Sequence, residues 1–229
     1  MIIMAKVRLI SASFGAGSNK ELVVNTPLRF EDYTIDLVRY NDDNTDSRIN
    51  SMHPRLKGKI PKMMEWYDYP DYDYYIWIDS RFIILDGFFD VMFSSVQFED
   101  ATIALFNHNK RSSINSELEY MNKRMYEGSN YLIGRYNGER MSEQVDMYLK
   151  DEAFIDNNLF AGGCFIYTKK LVEDRNYNMM TDWFMHNCLF SIQDQLSLPY
   201  LLHKHNINYH VLPYDIMNNY ILRYDYSDM

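Results

Sequence analysis

The stretch that most constrains this chain is 74–86, Tyr-Tyr-Ile-Trp-Ile-Asp-Ser-Arg-Phe-Ile-Ile-Leu-Asp. Apolar and aromatic residues run without interruption from Tyr74 to Ile78 and end on an acid, Asp79. A run of that length without alternation reads as a strand buried on both faces, the habit of parallel sheets covered by helices. In open α/β sheets, ligands are met outside the carboxyl ends of the strands. Asp79 therefore stands where a ligand would be met. Ser80 and Arg81 follow it, and a second apolar run resumes over 82–85.

The rest of the chain supplies the partners such a strand needs. Residues 6–13 read as a strand closed by the small-residue turn Phe14-Gly15-Ala16-Gly17. Residues 33–40 alternate and read as a second strand, and 102–106 as a buried one leading into the polar loop His108 to Arg111. Ala161-Gly162-Gly163 precedes a strand over 164–167, and 208–212 is the last. Adjacent glycines before a buried strand point to close approach of backbone to a ligand or to another chain segment. Helical spacing appears over 52–67, 115–126, 139–150, 181–190 and 193–205, the last opened by Asp194-Gln195. An acid at that position is also what helix capping alone selects. Residues 128–138, with Arg135, read as a loop. The tail 215–229 is Tyr-rich and polar, and is expected either to fold over the site or to be partly disordered.

Strands alternating with helices over short connections predict an α/β fold, Rossmann-like, with a mostly parallel central sheet flanked by helices. No Gly/Ser/Pro-rich linker divides the 229 residues, so one domain over 1–229 is expected. With 47% hydrophobic residues, 20 Tyr and 13 Phe, the chain can build a sizeable core. The formal net charge of -9 argues against coating nucleic acid by bulk charge. The two cysteines, Cys164 and Cys188, make neither a zinc site nor a disulfide framework, which fits a reducing cytosol. The first apolar stretch is broken by Lys6 and Arg8 and is too short to span a bilayer. A cytoplasmic protein with no membrane span is the expectation. Abundant Tyr, Asn, Asp, Met and Ile hint at an A/T-rich genome such as that of a virus or phage, which would make the compartment host cytoplasm.

The first turn lacks both G-x-G-x-x-G and a P-loop lysine, so it carries no dinucleotide fingerprint and no kinase-like loop. Just before the Asp79 strand, Arg55, Lys57, Lys59 and Lys62 fall within eight residues with no acid among them. In so acidic a chain such a cluster can hold a diphosphate by charge-assisted hydrogen bonds. The plainer reading, a solvated helix face, is the commoner fate of a charge run.

In chain order these features are Ser-Ala-Ser-Phe-Gly, His-Pro-Arg-Leu-Lys-Gly-Lys, Trp-Ile-Asp-Ser-Arg, Asn-Leu-Phe-Ala-Gly-Gly-Cys-Phe-Ile and Gln-Asp-Gln-Leu-Ser-Leu-Pro-Tyr. Together they resemble a glycosyltransferase of the GT-A fold over roughly residues 6–212. The chain is most similar to a group of glycosyltransferase-like proteins with Trp-Ile-Asp-Gly-Lys at the strand end and Arg-Asp-Gln-Leu-Ser downstream. More distantly it resembles the glycogenin-like families. The resemblance implies that Ser11, Ala12 and Ser13 line the base and ribose of a nucleotide, and that Arg55 and Lys59 face its diphosphate. Asp79 would be the first acid of a D-x-D-like position. Gly162 and Gly163 would lie against the donor sugar, and Asp194 with Gln195 would meet a sugar hydroxyl, Asp194 doubling as candidate catalytic base ahead of Asp156.

One departure matters. The third position of the D-x-D pattern is an acid that helps hold a divalent cation on the diphosphate, and here it is Arg81. Arginine cannot ligate a metal but can neutralise a diphosphate directly. The expectation is that no cofactor is required, with Arg81 and the 55–62 cluster replacing Mn²⁺ or Mg²⁺. If a cation binds, Asp79 and His210 would hold it, although His210 also reads as an ordinary strand residue. The implied reaction moves a hexosyl or pentosyl group from a nucleoside diphosphate donor, UDP in the first place, to an acceptor hydroxyl. The acceptor would be a glycan or glycoprotein, or a hydroxymethylated DNA base in a phage. For DNA, Lys110, Arg111, Lys123, Arg124, Arg135 and Arg140 would supply a basic patch; residue by residue they read as solvated surface. Two rival readings stand beside this one. A sugar-nucleotide nucleotidyltransferase would need a better Gly-rich loop than 15–20, and a non-catalytic nucleotide-sugar- or partner-binding module would need no turnover.

Overall fold

The computed structural model describes residues 5–15, 20–96 and 98–226, with the side chains of Ser47 and Arg48 outside the description. The chain enters β1 (Ala5–Ala12), makes the short strands β2 (Val23–Val24) and β3 (Arg29–Phe30), and returns as β4 (Tyr33–Tyr40). A single helical turn, α1 (Ser47–Asn50), precedes α2 (Pro54–Asp68), then β5 (Tyr74–Ile78), β6 (Phe82–Ile84), α3 (Phe88–Ser94) and β7 (Ile103–Asn107). Three helices, α4 (Ile114–Tyr126), α5 (Asn130–Tyr136) and α6 (Met141–Leu149), separate β7 from β8 (Phe160–Thr168). A 3₁₀ turn, α7 (Met179–Leu189), α8 (Asp194–Lys204), β9 (Tyr209–Leu212) and β10 (Leu222–Tyr224) follow.

The main sheet has seven strands in the order β3-β4-β1-β5-β8-β7-β9. β4, β1, β5, β7 and β9 run one way and only β3 and β8 run against them, so the sheet is mostly parallel, as the alternation predicted. β8 is the informative exception. It is as apolar as β5, yet it is antiparallel to both its neighbours. Burial on both faces, not direction, sets its composition.

The period of two in β5 explains why no polar residue is tolerated there. Ile76 and Ile78 face one core with Phe82, Phe88 and Met92; Tyr75 and Trp77 face the other with Trp66 of α2, Trp183 of α7 and Leu198 of α8. Each such side chain contributes about 1.5–3 kcal/mol when fully buried. A third core, built from Leu118, Met121, Tyr136, Val145 and Tyr148, ties α4–α6 to α8 through Leu196.

Two readings of the sequence are corrected here. Residues 130–136 form α5 rather than loop, between Gly128 and Gly138 at φ +85° and +84°. The left-handed glycines break the chain on either side, and packing of Tyr136 into the third core holds the turns between them. The described part of the tail, 215–226, does not line the candidate cavity described below. β10 pairs with β6 in a small second sheet, β10-β6-β2, and Tyr224 packs edge-on against Phe82 with centroids 5.3 Å apart. Parts of the 14–17 turn and of the tail, at 16–19 and 227–229, lie outside the described residues. No helix among the described residues is long and apolar enough to cross a membrane.

Candidate active site

The carboxyl ends of β1 and β5, the first half of α2, the start of β8 and the start of α8 converge on a cavity of about 760 Å³. Its inner wall carries Ala12, Ser13, Arg55, Lys59, Lys62, Asp79, Gly162, Gly163, Asp194 and Gln195. Its outer wall comes from the β7–β8 insertion, with Tyr120, Arg124, Tyr131 and Arg135.

α2 begins at Pro54, where the missing N–H is harmless, and the His53 Nδ1 accepts from the Arg55 N–H at 3.3 Å. Arg55, Lys59 and Lys62 are spaced i, i+4, i+7 and so share one face, toward the cavity, while Met63 and Trp66 go into the core. Lys57 leaves by another face, where it pairs with Asp42 and donates to Asn50 at 3.1 Å. The basic cluster is thus split: three cations line the cavity and one does not. The resemblance named only Arg55 and Lys59 individually, with the 55–62 cluster as a whole; Lys62 joins those two in the cavity, and its helical spacing from them was the available signal.

Asp79 sits half-buried at the end of β5. Its N–H donates to the Gly163 carbonyl at 2.8 Å, and the Trp77 Nε1–H donates to its Oδ1 at 2.9 Å. The pairing of β7 with β8 skips from Leu105–Phe165 to Phe106–Ala161, so Gly162, Gly163 and Cys164 bulge away from β7 while β5 still holds Cys164. This bulge aims the two glycines at the cavity. Of the alternatives read from the glycine pair, the chain itself already requires close approach. A Cβ on Gly163 would stand 2.8 Å from the Phe82 ring, and one on Gly162 would stand 3.2 Å from Lys62 Nζ and 3.3 Å from Asp194 Oδ1.

Asp194, at the start of α8, is buried and bonds to two ammoniums: Nζ of Lys59 at 2.6 Å and Nζ of Lys62 at 2.5 Å, both to Oδ2. Lys62 also donates to the Gly162 carbonyl at 2.6 Å. Trp183 Nε1–H and Ser197 Oγ–H donate to the Asp194 carbonyl at 3.0 and 3.2 Å, which fixes the first turn of α8. Burial alone would raise the pKa of Asp194, but the two lysines outweigh it and hold the carboxyl well below the usual range. Asp79 is the opposite case. Burial, with the nearby charge of Asp194 adding to it, pushes its carboxyl up against the opposing pull of Lys62 and Lys59. Burial lowers Lys59 despite its bond to Asp194.

Several residues assigned from sequence fall elsewhere. Ser11 lines an adjoining hollow of about 320 Å³ that shares Ala12, Ser13 and Ser80 with the main cavity, and its buried Oγ has no hydrogen-bond partner among the described residues. Arg81 does not line the main cavity; its carbonyl accepts from the Asp225 N–H at 2.7 Å, beside the second sheet. Asp156 caps α4, accepting from the N–H groups of Ile114 and Asn115 at 2.7 and 3.0 Å. His210 is corrected as a partner of Asp79. It shares a row across the sheet with Ala104, Ile166 and Ile76. That places it three strands away, about 14 Å, and about 10 Å further along the strands.

These residues do not fit a divalent cation. Mg²⁺ or Mn²⁺ needs several hard oxygen ligands. Asp79 offers one carboxylate beside two lysines, and Asp194, the next, is engaged by both ammoniums. Among the described residues, no three His, Cys, Asp or Glu side chains gather to hold a metal ion.

Known proteins share this arrangement of elements. Residues 47–221 match the model of the TOD1/MUCI70 glycosyltransferase-like domain. The probable hexosyltransferase MUCI70 of Arabidopsis thaliana is 24% identical over 151 residues, which cover 62% of this chain and 24% of that protein. The chain thus spans about a quarter of the plant relative's length. Among solved structures, a glycosyltransferase involved in the glycosylation of the major capsid of PBCV-1 superposes with a TM-score of 0.51 at 8% identity, covering 97% of this chain and 94% of that one. At that identity the likeness is one of fold. The family match covers more than half of the chain, with the Asp79 strand, both β8 glycines and Asp194 inside it, and the chain belongs to the TOD1/MUCI70 glycosyltransferase-like family.

Proposed function

We propose that this chain transfers a sugar from a nucleoside diphosphate donor, UDP in the first place, to a hydroxyl of a glycan. The observation that carries the reading is the joining of Asp79, Gly162, Gly163, Lys59, Lys62 and Asp194 at the carboxyl ends of β1 and β5, in a cavity of about 760 Å³. That volume is within the range of roughly 300–1,000 Å³ usual for small-molecule sites. The hollow beside Ser11 takes the base and ribose; Ala12, Ser13, Arg55 and Lys59 face the diphosphate; Asp79 and the β8 glycines face the sugar. Hexosyl transfer is favoured by the description of the plant relative.

In the reaction an acceptor hydroxyl oxygen forms a bond to the anomeric carbon, the bond from that carbon to the diphosphate oxygen breaks with its electrons leaving on the nucleoside diphosphate, and the hydroxyl proton passes to the departing phosphate oxygen. Cations already in place around the leaving group stabilise its growing charge. We assign that work to arginine and lysine rather than to a metal ion. An effective general base has a pKa near the working pH. Asp194, held low by two lysines, is better suited to ordering Lys59 and Lys62 than to taking the acceptor's proton. A glycan is preferred to DNA because the basic residues flanking the insertion do not form a free stripe. Arg111 pairs with Glu117, Lys123 and Arg124 with Glu127, and Arg140 with Glu143.

The test is a thermal-shift screen against UDP-, GDP-, dTDP- and CMP-sugars, each with EDTA and with Mn²⁺, followed by an assay for released nucleotide. A ligand that binds only the folded state raises its stability by mass action. A shift with one nucleotide family that survives EDTA, together with nucleotide release, is the expected result. Release that EDTA abolishes and Mn²⁺ restores would overturn the metal-free assignment. Binding without release, with a range of acceptors, would favour a non-catalytic module. Asp194→Asn should lower turnover while nucleotide binding persists, and unchanged turnover would remove Asp194 from the reaction.

A further inference from the structure

Arg55 and Arg135 are brought together from elements far apart in the chain, and neither meets a carboxylate among the described residues. Arg55 stands in the first turn of α2, on the inner wall of the cavity, and its buried Nη1 has no hydrogen-bond partner among the described residues. Arg135 reaches the same cavity from α5, on the outer wall. Its partners are neutral: the Tyr131 hydroxyl accepts from Nη1 at 2.8 Å and the Tyr136 hydroxyl from Nε at 3.4 Å. Tyr136 is itself fixed, its hydroxyl donating to Gln193 Oε1 at 3.0 Å just ahead of α8. Burial and the opposing charge of Arg135 both weaken the hold of Arg55 on its proton.

A buried charged donor left unmet is costly, and two like charges set face to face add to the cost. Elsewhere on the insertion the rule is kept: Arg111, Arg124 and Arg140 each have a glutamate. The cavity lining holds six cations, Arg55, Lys59, Lys62, Arg111, Arg124 and Arg135, against three carboxylates, Asp79, Glu117 and Asp194, in a protein of formal net charge -9. The lining is therefore positive in excess, which suits an anionic group such as the diphosphate of a nucleotide sugar. Guanidinium forks match phosphate oxygens in geometry as well as charge, and the first turn of α2 adds the favourable end of its dipole.

We propose that Arg55 and Arg135 form a two-sided clamp for the diphosphate of the ligand, with the α4–α5 insertion as its outer jaw. This rests on the nucleotide-sugar reading above and adds to it a second wall of the site and a residue, Arg135, outside the basic cluster. Because the jaw is tied to α8 through Tyr136 and Gln193, diphosphate binding fastens the insertion to the helix that carries Asp194.

The test is calorimetric titration in EDTA of inorganic pyrophosphate, UDP and uridine into the wild-type chain, Arg135→Gln, Arg135→Lys and Arg55→Gln. Arg135→Gln and Arg55→Gln should each weaken pyrophosphate and UDP by about tenfold or more. Uridine should bind all forms alike, and Arg135→Lys, which keeps the charge without the fork, should fall between. Pyrophosphate and UDP binding within twofold of wild type in Arg135→Gln would overturn the clamp, as would a wild-type chain that binds neither. If UDP binds equally to wild type and Arg135→Gln, the clamp fails and the nucleotide reading survives. If pyrophosphate binding depends on Arg135 while UDP binds no better than pyrophosphate, the clamp survives and the nucleotide reading fails. Should Arg135→Gln not fold, Arg135→Lys and Arg55→Gln decide the matter by the same criterion.

Discussion

Lys62 and Asp194 form a buried ion pair, Nζ to Oδ2 at 2.5 Å, and the same ammonium donates to the Gly162 carbonyl at 2.6 Å. One side chain thereby joins α2, β8 and α8 beneath the cavity. Removing one member of a buried pair leaves the other charge uncompensated, at a typical cost of roughly 3–5 kcal/mol. Lys59 remains to meet Asp194, so Lys62→Met is expected to lose about 3 kcal/mol in urea unfolding with the slope unchanged. A loss below about 1 kcal/mol would show that the pair does not hold these elements together.

Gly163 is required by the protein before any ligand arrives. Gly163→Ala sets a methyl group 2.8 Å from the Phe82 ring and 3.4 Å from Asp79 Oδ2. Overpacking of this kind costs about 1–3 kcal/mol. Phe82→Leu should relieve part of that loss in the double variant, since neighbours in contact are not additive. Additive losses in chemical denaturation would place the strain elsewhere.

Asp182 gives stability a dependence on acid. Burial works to raise its pKa, but bonds from Lys204 at 2.8 Å, His205 at 2.9 Å and the Tyr177 hydroxyl at 2.9 Å prevail and bring it down to about 2. A depressed carboxyl contributes stability that is complete above the unfolded value, near 3.8, and is lost as pH falls through about 2. Asp182→Asn should therefore be less stable than wild type by about 2 kcal/mol at pH 7. The gap in urea midpoints should begin to close below about pH 4. A gap that does not change between pH 7 and pH 3 would refute the linkage.

Arg81 and Lys59 separate two accounts of how a diphosphate is held. Arg81 lies outside the cavity wall and Lys59 within it. Arg81→Ala should leave UDP affinity within about threefold of wild type, and Lys59→Ala should weaken it by about tenfold or more. The reverse order in a calorimetric titration would return Arg81 to the role its place after Asp79 first implied.

What the sequence determined by itself is local. An unbroken apolar run makes a doubly buried strand whatever surrounds it, so β5 and the position of Asp79 at its end were legible. The i, i+4 spacing of Arg55 and Lys59 puts them on one face of any helix there, although the sequence pointed to them through the resemblance, and the Asp-Gln start of α8 marked where that helix begins. These follow from periods of two and of 3.6, which act within a few residues. The tertiary structure alone decided which distant residues meet. The direction of β8 and its bulge against β7 put Gly163 on Phe82 and Gly162 on Lys62. Sheet order carried His210 three strands from Asp79. Packing of Tyr136 turned an expected loop into α5 and brought Arg135 into the cavity that Arg55 lines. Each of these depends on register and packing between segments far apart in the chain, which no local period encodes.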